Sequence, residues 1–246
     1  MARQRLGQHF LIRGSVLERI ARATCPDPQP LVVEIGPGRG ALTARLLERA
    51  ARVVSIEIDH ELAGYLRGRF AADDRLEVVE ADVLSVDLAQ WGAAPIAGNL
   101  PYYIASPILE RALRLRPPRA VFLLQKEVAR RLVAQPGSRD YGYLTVATAV
   151  FAHARMLCEV PPSAFRPPPK VDSAVVEFCP RVPATPDAEA FLEFAAQCFR
   201  YKRKTIRNNL RVVYGKDVVE SWPEAALRAE QLSLPQLEEM WRRTKL

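Results

Sequence analysis

The sequence is short of cysteine pairs, of histidines at metal-ligand spacing and of long apolar runs. Its four cysteines, Cys25, Cys158, Cys179 and Cys198, are widely scattered with no CxxC pair, and none of the three histidines stands near them at zinc-ligand spacing. That excludes a zinc ribbon and a disulfide scaffold, so the thiols are expected to be reduced and mostly buried, with no metal bound. No stretch approaches the roughly 18 consecutive apolar residues of a membrane helix, and "MARQRLGQHFL" lacks the apolar centre of a signal peptide. A cytoplasmic protein with no membrane partner is expected. There is no internal repeat and no low-complexity tract.

What is present fits a soluble globular chain. Its 246 residues are enough for one large domain, or one of ordinary size plus a small one. The net charge of +7 is unevenly placed. Arg200, Lys202, Arg203, Lys204, Arg207 and Arg211 cluster in a segment without acids, and the first 22 residues hold Arg3, Arg5, Arg13, Arg19 and Arg22 against Glu18 alone. Such clustering points to a polyanionic partner. Read as one helix, the segment after 198 puts Arg200, Lys204, Arg207 and Arg211 on one face, and Phe199, Ile206, Leu210 and Val213 on an apolar stripe.

Short apolar runs alternate with helical patterns. "LVVEIG" (31–36), "RVVSIEID" (52–59), "LEVVEAD" (76–82), "APIAGNL" (94–100) and "RAVFLLQK" (119–126) read as buried strands, with helical spacing in "ALTARLLERA", "HELAGYLRGRF" and "ASPILERALRL". This rhythm means a parallel α/β sheet with helices on both faces. "ARMLCEV" and "VDSAVVEFC" read as an antiparallel pair closing the sheet. The proline-rich "PRVPATPD" then interrupts, and everything beyond reads as helix. The expected organisation is a catalytic domain over 1–181 and a small all-α domain over 182–246.

The glycine turn "EIGPGRG" (34–40) follows the first of these strands, where doubly wound sheets bind small ligands. Its G-x-G-x-G spacing differs from the G-x-G-x-x-G of dinucleotide sites. Glu34, Glu57 and Asp82 stand at three successive strand ends, a set that suits a cationic adenosyl ligand better than a phosphorylated one. Ordinary helix capping would account for any one of them taken alone. The run ending at Gly98 delivers Asn99 to the same edge, Pro101 stiffens the turn, and Tyr102 offers a flat face. An amide oxygen and a nearby carbonyl make an acceptor pair for an exocyclic NH2.

The set "GQHFL" (7–11), "EIGPGRGALT" (34–43), "IEID" (56–59), "EAD" (80–82), "GNLPYYIASPIL" (98–109), "FRPPPKVDSAVV" (165–176) and "FRYKRKTIRNNL" (199–210) resembles the ribosomal RNA adenine N6,N6-dimethyltransferases, most of all their bacterial small-subunit branch. The resemblance implies a Rossmann-like methyltransferase sheet with an S-adenosylmethionine site made by His9, Leu11, Gly36, Gly38, Glu57, Asp82 and Asn99. His9 stands where the family most often has asparagine. It further implies dimethylation of two adjacent adenines in a 3′-terminal hairpin loop of small-subunit RNA, by a monomer acting on a pre-ribosomal particle in the cytoplasm.

In that chemistry the N6 lone pair is delocalised and the incoming methyl strongly electrophilic, so positioning and charge stabilisation carry the catalysis. Asn99 and the Leu100 carbonyl are expected to accept the N6 hydrogens, Tyr102 to stack on the flipped base, and Phe165 to close its other face or else to be a core aromatic. The basic residues Arg200, Lys202, Arg203, Lys204, Arg207 and Arg211 are the expected RNA contacts. Two rivals stay open: a large-subunit adenine methylase of the erythromycin-resistance type, and a non-catalytic ribosome-assembly or transcription factor on the same fold.

Overall fold

The computed structural model describes residues 9–182 and 184–245. Gly7 and Gln8 of the first motif, and Arg3 and Arg5, lie outside the described residues. The first elements among the described residues are a two-residue strand, β1 (Phe10–Leu11), and α1 (Gly14–Thr24), whose Val16, Leu17, Ile20, Ala21 and Thr24 recur at helical spacing and are buried. The apolar runs form β2 (Val32–Ile35), β3 (Val53–Glu57), β4 (Leu76–Glu80), β5 (Ile96–Asn99) and β6 (Ala120–Gln125). Helices α2 (Ala41–Leu47), α3 (His60–Arg69) and α4 (Ala105–Arg114) connect them. After α5 (Lys126–Leu132) and α6 (Tyr143–Ala149) come β7 (Ala152–Val160), β8 (Phe165–Arg166) and β9 (Ser173–Pro180).

The seven-stranded sheet runs β4-β3-β2-β5-β6-β9-β7. Strands β2 to β6 are parallel, and β9 enters antiparallel to β6, with β7 beside it at the edge. The strand order switches direction between β2 and β5, so the crevice outside their carboxyl ends is the place for a ligand. Register brings the sequence motifs to that edge: Ile35 lies opposite both Ile56 and Gly98, so Gly36, Glu57 and Asn99 leave the sheet at one level, and Glu57 lies opposite Glu80. Gly98 is required by packing, because a Cβ there would meet the Ile35 carbonyl oxygen at 2.5 Å. A separate ladder pairs β1 with β8, Leu11 opposite Phe165. Two-residue strands have no period to read, and only the structure shows this one.

The chain divides into two compact units, residues up to Ala129 with Ala154–Pro180, and Arg130–His153 with Arg181–Leu246. The second unit thus takes in α6 and its flanking loops, a stretch that lies within the 1–181 span of the sequence reading. The reason is local packing: Tyr141 donates from its hydroxyl to the Leu232 carbonyl at 2.8 Å, and Gly137 N donates to Glu230 O at 2.7 Å. Helices α7 (Ala188–Cys198), α8 (Ile206–Tyr214), α9 (Lys216–Glu220) and α10 (Leu234–Arg243) complete this unit around Phe191, Phe194, Leu237, Met240 and Trp241. All four cysteines are free; burial pushes the Cys25 thiol up to about 11 and raises that of Cys198 as well. Among the described residues no helix is long and apolar enough to cross a membrane.

Candidate active site

The glycine turn follows β2 with Gly36 and Gly38 both at positive φ, 68° and 57°, a conformation that L side chains rarely adopt. A Cβ on Gly38 would stand 3.0 Å from the Phe10 ring, and one on Gly36 would stand 3.4 Å from the Asn99 carbonyl oxygen. The bare backbone of this turn forms one wall of a cavity that His9, Phe10, Leu11, Asn99, Leu100 and Tyr102 also line. The motifs separated by about ninety residues therefore meet around one space.

The three acids have unequal roles. Glu34 is 1% exposed inside β2, where its Oε2 accepts from Thr43 Oγ1 at 2.6 Å and Ser55 Oγ at 2.8 Å. It reaches the floor of the cavity, and burial pushes its carboxyl up to about 7. Glu57 ends β3 and is also buried; its Oε2 accepts from Gly38 N and its Oε1 from Asp59 N, both at 3.1 Å. Burial raises its pKa, while these backbone donors act in the opposite direction. Asp82, two residues past β4, caps the following turn by accepting from Leu84 N at 2.9 Å. Glu57 and Asp82 sit beyond the cavity lining, along the open sheet edge.

The donor set fits an adenosyl ligand. A carboxylate offers about four lone-pair directions; the backbone N–H groups of Gly38, Asp59 and Ile58 take up part of these on Glu57, and what is left is open to a ribose hydroxyl. Replacing Glu57 by Ala is expected to weaken S-adenosylmethionine binding about 10- to 100-fold by calorimetry, the effect of losing charge-assisted bonds. Glu57→Gln, which keeps an acceptor for Gly38 N, separates loss of the ligand's partner from damage to the glycine turn. Unchanged affinity in both variants would remove Glu57 from the site.

At the end of β5, Asn99 Nδ2 donates to the His9 carbonyl at 3.0 Å. The donor side of the amide is thereby tied to the backbone, and Oδ1 is left as the acceptor. Leu100 N donates to Leu123 O at 3.3 Å, keeping the chain in strand register up to the Pro101 turn. Tyr102 is half-buried, its hydroxyl 2.7 Å from Ser173 Oγ, and its ring stacks against His9 with centroids 6.0 Å apart and planes 30° apart. His9 Nδ1 lies 2.8 Å from the Pro167 carbonyl; because a carbonyl only accepts, this nitrogen carries the hydrogen. His9 thus ties its own segment to two others, the Asn99–Tyr102 turn and the proline loop. Fully buried Ser173, part of the FRPPPKVDSAVV motif but given no role by the sequence, orients the tyrosine.

Two expectations change. Phe165 is 3% exposed and packs in the core beside Leu11, Val16 and Ala164, the alternative the sequence left open, because the β1–β8 ladder turns its ring inward. The basic segment is not one helix: α7 ends at Cys198 and α8 starts at Ile206 behind the Thr205 cap, so Arg200, Lys202, Arg203 and Lys204 lie on an exposed loop and Arg207 and Arg211 on α8. Ile206 and Leu210 are buried as expected, but Val213 is exposed and Asn209 takes a buried place in their stripe.

With this geometry in view, the likenesses to known proteins are coherent. The ribosomal RNA adenine dimethylase family model matches residues 1–240. A relative named ribosomal RNA small subunit methyltransferase A, from Acidobacterium capsulatum, is 42% identical over 97% of this chain and 89% of its own. Among solved structures, a dimethyladenosine transferase from Plasmodium falciparum is 26% identical with a TM-score of 0.84, covering 97% of this chain and 99% of that one. The 23S rRNA methyltransferase ErmE is 30% identical with a TM-score of 0.72, covering 95% and 99%.

Proposed function

Since the chain belongs to the ribosomal RNA adenine dimethylase family, we propose that it transfers methyl groups from S-adenosylmethionine to N6 of adenines in small-subunit ribosomal RNA. The observation that carries this reading is the shared cavity of the Gly36–Gly38 turn and the Asn99–Tyr102 turn, a cofactor wall and an amino-group acceptor facing one space. Identity of 42% with the small-subunit enzyme, against 30% with ErmE, favours the small subunit over the large one. The finer reading is that two adjacent adenines of a 3′-terminal hairpin loop are each dimethylated by a monomer, on a pre-ribosomal particle in the cytoplasm. It rests on the motifs themselves.

When bound, S-adenosylmethionine supplies an electrophilic methyl on a sulfonium. Gly36, Gly38, Glu57 and Asp82 hold it, with Leu11 and His9 on the facing wall. Asn99 Oδ1 and the Leu100 carbonyl accept the two N6 hydrogens, drawing the nitrogen from planar toward tetrahedral and releasing its lone pair from the ring. Tyr102, held by Ser173, covers the base and stabilises the positive charge that develops on it. No dedicated base is required, because the methylated ammonium loses its proton readily to water. Phe165 supports the site from the core by anchoring the proline loop to β1.

Purified protein, labelled S-adenosylmethionine and separate small and large subunit particles test the assignment. Label in adenines of small-subunit RNA is the expected result. Label only in large-subunit RNA would transfer the assignment to the erythromycin-resistance type, and no label in either would leave a binding factor.

The basic residues Arg200, Lys202, Arg203, Lys204, Arg207 and Arg211 are all exposed, as phosphate contacts must be. Changing Arg200, Lys204 and Arg207 together to Gln is expected to leave S-adenosylmethionine affinity intact and to weaken particle binding. The log-log salt slope should fall by roughly 0.7 to 0.9 for each lost phosphate contact. Arg207 also stands 3.8 Å from Glu220, so it should account for the smallest share. A wild-type slope in the triple variant would mean that this surface does not touch RNA.

A further inference from the structure

The loop between α7 and α8 presents an aromatic ring among its charges. Tyr201 is 53% exposed, with Arg200 on one side of it in sequence and Lys202, Arg203 and Lys204 on the other, all exposed. The Arg200 guanidinium carbon lies 5.4 Å from the Tyr201 ring centroid, within cation–π range. One face of this phenol ring is open to a partner from solvent, and cations stand on both sides of it in sequence.

The loop that carries it is organised from below by one buried amide. Asn209, 6% exposed, reaches back from α8: Nδ2 donates to the Cys198 carbonyl at 2.8 Å and lies 3.4 Å from the carbonyls of Tyr201 and Lys204, and Oδ1 accepts from Tyr201 N at 3.1 Å. Lys204 N donates to Tyr201 O at 2.9 Å, and Lys202 Nζ donates to Arg139 O at 3.4 Å. Tyr201 is therefore fixed at both its backbone N–H and its carbonyl before any partner arrives. An aromatic residue whose backbone is held in advance on a cationic loop has the composition that binds single-stranded nucleic acid: flanking cations for successive phosphates, and a flat face for the base between them. Paired RNA hides its base faces in the stack, so only an unpaired nucleotide can use the ring.

We infer that Tyr201 is a stacking site for an unpaired nucleotide of ribosomal RNA, separate from the adenine that is methylated. The inference rests on the proposed RNA substrate and adds to it a specific contact that charge alone does not provide. Two signatures distinguish it from the phosphate contacts of its neighbours. Loss of the ring weakens binding without changing the salt slope, because no counterion is released by stacking, and an aromatic replacement restores it.

The experiment measures binding of wild type, Tyr201→Ala and Tyr201→Phe to small-subunit particles and to protein-free small-subunit RNA over a range of salt, with S-adenosylmethionine affinity as the folding control. Tyr201→Ala is expected to bind both about 5- to 100-fold more weakly with the wild-type salt slope. Tyr201→Phe is expected to stay within about twofold of wild type. Unchanged affinity of the Ala variant for the RNA would overturn the inference. So would weaker binding to particles alone, which would identify a ribosomal protein as the partner, or a reduced salt slope, which would identify a charge effect. Methylation of the particles by wild type, measured alongside, tests the substrate reading separately.

Discussion

Replacing Asn99 by Ala is expected to lower turnover about 10²- to 10³-fold, the cost of deleting one preorganised polar group aimed at charge that develops in the transition state. S-adenosylmethionine affinity should change far less, because the acceptor matters most once N6 becomes pyramidal. The structure adds a complication and its control. Asn99 Nδ2 holds the His9 carbonyl, so the Ala variant also frees the segment carrying His9 and Leu11, which line the same cavity. Asn99→Asp keeps an acceptor oxygen, loses the donor to the His9 carbonyl and adds a negative charge, so its cofactor affinity is measured beside its turnover. If Oδ1 is the working atom, the Asp variant should retain more turnover than the Ala variant at equal cofactor affinity. Single-turnover rates and calorimetric affinities for both variants decide it. An Ala variant with near wild-type turnover, or one whose defect lies wholly in cofactor affinity, would show that Asn99 braces the cavity and takes no part in the chemistry.

Glu34 should make the folded state lose stability as pH rises. Its carboxyl stands near 4.5 in the unfolded chain and is pushed up to about 7 by burial in β2, against the opposing bonds from Thr43 and Ser55. Below 4.5 both states carry the proton and the group exacts no penalty. Between 4.5 and 7 the unfolded chain ionises while the folded one keeps its proton, so the folded state binds more protons and stability falls with rising pH. Above 7 the loss is complete, on the order of 3 kcal/mol. Glu34→Gln removes the titration and leaves an oxygen to accept from Thr43 and Ser55. The difference in unfolding free energy between the variant and wild type should therefore grow by about that amount from pH 4.5 to 7.5, as read from urea midpoints at fixed m-value. A difference that stays constant across the range would mean that Glu34 is not held protonated. The same carboxyl forms part of the cavity floor, where the Thr43 and Ser55 hydroxyls satisfy it.

Five strands and three connecting helices of the first unit could be read from the amino-acid order within a few residues, because apolar runs of strand length and helical stripes are local properties. The chemistry was legible for a similar reason. The glycine turn, the acids at strand ends and Asn-Leu-Pro-Tyr each make a short contiguous signal, and the topological rule for doubly wound sheets places all of them at the same edge without knowledge of the fold in detail. The grouping of Gly36, Glu57 and Asn99 by register follows from that rule.

Contacts made at long range had no such signal. Nothing beside Ser173 marks it as the partner of Tyr102, seventy-one positions away, and nothing beside His9 shows that its ring lies on that tyrosine while its carbonyl holds Asn99. Phe165 has the sequence context of a loop aromatic, and only its pairing opposite Leu11 turns it into the core. Asn209 interrupts an apolar stripe and, by periodicity alone, weakens it; in the folded chain it is the buried amide that satisfies the backbone of the basic loop. Amino-acid order thus settled the five parallel strands, their crossover helices and the kind of ligand, since these depend on spacing along the chain. Which side chain holds which was decided by tertiary packing, where hydrogen-bond partners are chosen by proximity in space and a buried polar group must find one wherever the fold brings it.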